Sequence, residues 1–404
     1  MKRLPVLTLL IIAFTLSFYL QNVFADDYQE EEPFTEVFSS VECISPAVPK
    51  VDAGAAIVMD VKSGRVLYEK NAYTRRAIAS TTKIMTAILA IENGSLDDEV
   101  IVSKRAASVW GSKIHLKTGQ VLKLEELLYG LMLNSGNDAA IVIAEHIGGT
   151  VENFAIMMTE KARQLGAKDT SFKSPHGLDM DGHYSTAYDL AVITRYALGN
   201  PLFSKIVGTR AVSIPSRNLH NTNEMLSAYP GADGVKTGYT GKAGRCLVTS
   251  ATKDGWRIIS VVLGCATRYK RAQSSSRILD YAFNSYKPFT LLEKGQCVKK
   301  LPVDKGVDRF VDVNAVESIN IPMKEEEIDN IETVLDVPDR IEAPIYKDTV
   351  VGDIEFRIDG KVVASSQLKI GEDVRRKGFF DYLGDIFKVW VRISREGIFL
   401  EGLS

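Results

Sequence analysis

The residues able to do chemistry fall into three short groups. Ser80-Thr81-Thr82-Lys83 sets a hydroxyl and an amine three residues apart where an apolar run begins, and on a helix such residues share a face. A serine there can attack a carbonyl, with the amine as its base and the N–H groups of the helix start meeting the oxyanion. An amine takes up a proton only when neutral, which calls for burial and a second cation nearby. The second group, Asn134-Ser135-Gly136-Asn137-Asp138, offers another hydroxyl and an amide, and the third, Asp233-Gly234-Val235-Lys236-Thr237-Gly238, offers the further cation. Taken singly, Ser80 reads more readily as an N-cap before an exposed lysine, and the other two groups as an ordinary turn and loop. Their order along the chain and the elements around them give them joint meaning.

Ile84, Ala87, Ile88, Ala90 and Ile91 predict a buried helix that Gly94 can end. Before it, runs from Ala55 to Val61 and from Arg65 to Glu69 predict a hairpin through Lys62-Ser63-Gly64. Helical spacing over Leu124 to Leu133, Ala139 to Ile147, Val151 to Leu165 and Thr186 to Leu198 puts the second group between two helices. The third group leads into predicted strands from Cys246 to Ala251 and Arg257 to Gly264, followed by a helix from Ala272 to Phe283. One α/β domain over residues 51–287, with a cleft between sheet and helices, accounts for this order. Short runs after Pro288 (Val298 to Leu301, Arg309 to Val313, Thr333 to Val337, Gly352 to Ile358, Lys361 to Ala364) predict a separate all-β domain over residues 288–374. A second Lys-Thr-Gly, at Lys117, precedes the Ser135 group and leads into a helical stretch, so only Lys236 is placed to line the cleft from the sheet side.

The 404 residues are 45% hydrophobic and 25% charged, the composition of a globular chain of two or three domains. A net charge of -2 with no basic block argues against a nucleic-acid partner. His115, His146, His176, His183 and His220 show no metal-ligand spacing, and no phosphate-cradling loop follows a strand, so neither metal nor cofactor is expected. Cys43, Cys246, Cys265 and Cys297 are too dispersed for a disulfide framework; Cys246 and Cys265, on consecutive strands, read as small buried hydrophobes first and a disulfide second.

Lys2 and Arg3, the apolar run from Leu4 to Leu20 and Val23-Phe24-Ala25 predict a signal peptide over residues 1–25, with an uncleaved anchor as the competing reading. Either places the working domains outside the cytoplasm. Residues 26–50 form an acidic, Pro-punctuated linker. In the tail, residues 375–404, Asp381, Asp385, Lys388, Arg392 and Arg395 recur on one helix face, while Phe379, Phe380, Leu383, Ile386, Phe387 and Trp390 fall mainly on the other. Such a helix would lie in a membrane interface, and Arg375, Arg376 and Lys377 would favour anionic lipid. The alternative is that its apolar face packs on the β domain.

In order, Ser80-x-x-Lys83, Ser135-x-Asn137 and Lys236-Thr237-Gly238 are the set shared by class A β-lactamases and penicillin-binding proteins. With Ser174-Pro175-His176-Gly177-Leu178-Asp179, the run from Tyr184 to Ala191 and the run from Ala243 to Val248, the chain resembles the low-molecular-mass penicillin-binding proteins. These are serine-type D-alanyl-D-alanine carboxypeptidases of peptidase family S11. The resemblance implies a β-lactamase/transpeptidase-like α/β fold, an antiparallel sheet flanked by helices with a helical subdomain, then the small β domain and the amphipathic helix. It implies Ser80 as acylated nucleophile, Lys83 as its base, Ser135 as proton shuttle to the leaving D-alanine, and Asn137 as hydrogen-bond partner of substrate and Lys83. Lys236, Thr237 and Arg271 would hold the substrate carboxylate, and the backbone N–H groups of Ser80 and Tyr239 would form the oxyanion hole. The implied partners are peptidoglycan pentapeptide stems, β-lactams as acylating inhibitors and an anionic membrane surface. The rivals are a β-lactamase and a penicillin-binding sensor or cell-wall binding module. No glutamate between Asn137 and Lys236 stands in the Glu-x-x-x-Asn pattern that class A β-lactamases use for deacylation.

Overall fold

The structure, a computed structural model, describes residues 47–215 and 217–396. The predicted signal peptide and most of the acidic linker lie outside the described residues. The chain divides into two compact units, with the boundary along the sequence between Tyr286 and Lys287.

The first unit is built on a five-stranded antiparallel sheet. Its strands are β1 (Ala55–Asp60), β2 (Val66–Lys70), β3 (Ala232–Thr240), β4 (Gly244–Lys253) and β5 (Trp256–Cys265), in the order β2-β1-β5-β4-β3. Both faces are covered, which is why β1 is apolar almost throughout: Ala55, Ile57 and Met59 enter one core, Ala56 and Val58 the other. The turns carry the residues their backbone needs, with Gly64 at φ 78° and Asp254-Gly255 at φ 51° and 76°.

The larger core packs the helical part against the sheet. Its central helix is α1 (Lys83–Asn93), whose first eight residues are all buried, followed by α2 (Leu124–Met132), α3 (Asn137–Gly148), α4 (Val151–Gln164), α5 (Ala187–Leu198) and α6 (Pro201–Gly208). Thr150 and Thr186 cap α4 and α5 by accepting from Asn153 N–H and Asp189 N–H. On the other face lies α7 (Arg268–Ser285), capped by Thr267. The sequence placed α7 four residues later because Arg268, Lys270 and Arg271 hide its polar first turn.

Around Ser80 and the second Lys-Thr-Gly the structure also differs from the sequence reading. Ser80 lies in a 3-10 turn, Ala79–Thr82, and the α-helix starts at Lys83. The Lys117 group leads into a short strand, Val121–Lys123, before α2, and its lysine is exposed.

The second unit holds a six-stranded sheet of β7 (Cys297–Asp304), β8 (Phe310–Ala315), β10 (Glu332–Asp336), β11 (Ile341–Glu342), β12 (Val350–Ile358) and β13 (Lys361–Ile370), in the order β10-β12-β13-β8-β7-β11. A separate pair joins β6 (Lys287–Leu292) to β9 (Ile319–Met323). The amphipathic stretch forms α8 (Phe379–Glu396). Its Phe379, Phe380, Leu383, Ile386, Phe387 and Trp390 are all more than half exposed, so this face is not packed on the β strands. No helix among the described residues is long and apolar enough to cross a membrane.

Candidate active site

In a 3-10 turn residues i and i+3 eclipse one another. The turn before α1 therefore brings Ser80 Oγ within 2.9 Å of Lys83 Nζ. Thr81 stabilises it, its hydroxyl donating to Ile78 O at 2.6 Å. Ala79, just before Ser80, holds a left-handed backbone with φ 47°.

Lys83 is fully buried, and its amine meets two more oxygens: Asn137 Oδ1 at 2.8 Å and the His176 carbonyl at 2.9 Å. Asn137 opens α3, and its amide nitrogen donates to Trp110 O at 2.8 Å, which fixes which way the amide faces. Asp138 anchors the same turn by accepting from the N–H groups of Ile114 and Leu116. Ser135, left-handed at φ 59°, is nearly buried, and its Oγ has no hydrogen-bond partner among the described residues. A buried hydroxyl without a partner is costly unless a bound molecule completes it.

From the sheet side comes β3, an edge strand carrying Lys236, Thr237, Gly238 and Tyr239. Gly238 lies against Ser80: a Cβ there would stand 2.9 Å from Ser80 N. Lys236 is buried and its amine donates to Thr237 O at 3.1 Å. The Thr237 hydroxyl meets that of Thr222 at 2.9 Å. Tyr239 is half-buried beneath the Arg245 guanidinium, 4.0 Å from its ring centre.

Arg271, expected to hold a substrate carboxylate, is buried and engages a protein carboxylate instead. Its Nε and Nη2 both donate to Glu224, at 3.0 Å and 2.8 Å. Arg268 also approaches Glu224, at 3.8 Å. Cys246 and Cys265 are buried free thiols, and burial pushes the Cys265 thiol up to about 12.

His176 and Asp179 lie in the loop that borders Lys83 and the edge strand. The His176 carbonyl takes the Lys83 amine, while Asp179 accepts from the Thr240 hydroxyl at 2.8 Å. Burial, with Lys83 and His183 nearby, brings the His176 imidazole down to about 3, so it stands neutral.

The family model described as D-alanyl-D-alanine carboxypeptidase matches residues 42–267. The chain belongs to this family. Residues 286–376 match the model of the penicillin-binding protein 5 C-terminal domain. Among curated relatives, D-alanyl-D-alanine carboxypeptidase DacF of Bacillus subtilis is 38% identical over 354 residues, covering 85% of this chain and 91% of that protein. DacA of Escherichia coli K12 is 30% identical, covering 96% and 97%. The crystal structures of penicillin-binding protein 5 from Haemophilus influenzae superpose with a TM-score of 0.73 at 30% identity, covering 81% of this chain and 99% of that one. The sheet with its helices and the β domain thus have the architecture expected of the family.

Proposed function

We propose that this chain is a serine-type D-Ala-D-Ala carboxypeptidase that removes the terminal D-alanine from peptidoglycan pentapeptide stems through an acyl-enzyme on Ser80. The observation that carries this reading is the Lys83 amine, buried and held between Ser80 Oγ, Asn137 Oδ1 and the His176 carbonyl. A neutral amine has two N–H bonds and one lone pair. With the N–H groups given to Asn137 and His176, the lone pair faces Ser80.

Lys83 takes the Ser80 proton as Oγ bonds to the carbonyl carbon of the penultimate D-alanine. The Ser80 and Tyr239 N–H groups receive the oxyanion. The C–N bond breaks as Ser135 gives its proton to the departing nitrogen, and the Lys83 ammonium restores it. Water then cleaves the ester with Lys83 again as base. Lys236 and Thr237 hold the substrate carboxylate, and Gly238 keeps β3 close to Ser80. Arg271 acts indirectly, by holding Glu224 in the segment that carries Thr222, the hydroxyl partner of Thr237. A β-lactam enters by the same attack and remains as the ester.

The domain scheme follows: an exported chain with its signal over residues 1–25, a linker, a catalytic domain over 51–287, a β domain over 288–374 and a tail that attaches it to the outer face of the cytoplasmic membrane. The exposed apolar face of α8 supports the last step. The deciding assay supplies a diacetyl-lysyl-D-alanyl-D-alanine peptide and measures released D-alanine, with mass spectrometry after penicillin treatment. Release and an adduct on the Ser80 peptide are expected. Acylation without turnover would mark a sensor, and rapid penicillin hydrolysis a β-lactamase.

A further inference from the structure

Of the two acceptors that aim the Lys83 amine, Asn137 Oδ1 belongs to a helix, but the His176 carbonyl belongs to a loop of irregular backbone, residues 173–183. Something must hold that carbonyl against α1. Thr86 on α1 donates to Pro175 O at 2.6 Å. Gly177, at φ 87°, lets the loop approach so closely that a Cβ there would fall 1.9 Å from Ala79 O.

The remaining fastening runs through one buried side chain, His183. Its Nδ1 accepts from Lys173 N–H at 3.0 Å, closing the loop across its neck, where Ser171 and Tyr184 also pair. A neutral imidazole that accepts at Nδ1 carries its proton on Nε2. Nε2, 2.9 Å from Thr82 Oγ1, therefore donates to the residue beside Lys83. Phe172 packs edge-on against the ring at 5.8 Å. Burial and the Lys173 charge bring the imidazole down to about 4, so this tautomer persists at neutral pH.

We propose that His183 is a positioning residue for acylation, registering the 173–183 loop on the catalytic helix through Lys173 N–H and Thr82 Oγ1 so that the His176 carbonyl aims the Lys83 lone pair at Ser80. The inference rests on Lys83 being the base.

The test uses the full chain and a fluorescent penicillin, separating the limiting acylation rate from the affinity of the initial complex. His183→Asn keeps an acceptor near Nδ1 but loses the Thr82 bond; His183→Gln does the reverse. Each should lower the limiting rate about tenfold to hundredfold while initial affinity stays within about twofold. Thr82→Ser should acylate normally, and Thr82→Val should match His183→Asn. The Thr82→Val/His183→Asn double variant should be no slower than either single one, because both remove the same bond. Phe172→Leu trims packing on the ring and leaves both bonds, so it should lower the melting temperature without slowing acylation. Rates within about twofold of the parent for His183→Asn and Thr82→Val, multiplying losses in the double variant, or a Phe172→Leu loss as large as theirs would each overturn the proposal. If the His183 variants do not fold, Thr82→Val and Thr82→Ser alone decide it. A Lys83→Arg protein that acylates normally would sink the base assignment instead, so the two failures are distinguishable.

Discussion

Adding one methyl group to Gly238 probes how tightly the edge strand is set against Ser80, the proposed nucleophile. The Cβ of Gly238→Ala would stand 2.9 Å from Ser80 N, 3.1 Å from Ala79 Cβ and 3.2 Å from Thr81 N. Ordinary contact begins near about 3.5 Å, so strand or turn must give by about half an ångström. Two of those three atoms are backbone and cannot rotate away. The displacement falls on the N–H of Ser80, the proposed oxyanion donor, and such a donor must sit within a few tenths of an ångström of its place. Acylation should fall about tenfold to hundredfold, and the overpacking should cost about 1–3 kcal/mol of stability. Gly241→Ala, in the same hairpin, meets nothing within 4 Å and should leave the rate unchanged. Stopped-flow acylation by a fluorescent penicillin, alongside thermal melts, reads both effects. If Gly238→Ala acylates at the parental rate, or if Gly241→Ala loses as much, the close approach of β3 to Ser80 does not govern the chemistry.

Lys83→Arg should abolish acylation, because a guanidinium cannot give up its proton, whereas Lys236→Ala should chiefly weaken recognition of the substrate carboxylate, and Lys117→Ala should leave activity intact; D-alanine release at graded substrate concentrations separates the three. The His176 and His183 imidazoles, brought down to about 3 and about 4, stay neutral in the fold while the unfolded chain takes up protons below its ordinary value of about 6.5. Their contribution is therefore fully present above about pH 6.5 and is lost as pH falls toward about 4 and then 3; melting temperature against pH should show it, with a shallower fall in His183→Gln. A chain ending at Val374 should lose flotation with anionic vesicles that the full chain shows, and equal flotation of the two would remove the tail as the anchor.

What was legible in the sequence is what local spacing controls. Ser80 and Lys83 meet because they are three residues apart, and the hairpins at Gly64 and Gly255 form because glycine takes the left-handed backbone there. Contacts made at long range or by the main chain leave no such mark. The His176 carbonyl is a group every residue possesses, so nothing distinguishes it in a string of side chains, although its distance from Lys83 is as short as that of Ser80. The ion pair of Arg271 joins positions 47 residues apart, and only the fold reveals that the arginine already has its anion. In the β domain, β6 and β9 escaped notice because each contains a proline, Pro288 and Pro322, which argues against a strand inside a sheet. The two prolines face each other in register in a sheet of two strands only, where every strand is an edge.

The same contrast explains why Ser80 sits where it does. Its backbone is approached by two glycines from segments far apart in sequence, Gly177 toward Ala79 O and Gly238 toward Ser80 N. Each approach is closer than any side chain would permit, and between them Ala79 is held at φ 47°, a conformation an alanine seldom adopts unaided. Gly177 belongs to the loop whose carbonyl orders Lys83, and Gly238 to the strand that carries Lys236 and Thr237. Lys83, proposed as the base, and Lys236 and Thr237, proposed to hold the substrate carboxylate, are thus both referenced to one peptide unit, Ala79–Ser80. Fixing each to that unit, rather than to the other across an open cleft, lets the two sides of the site stay in register while leaving the space between them free for a peptide.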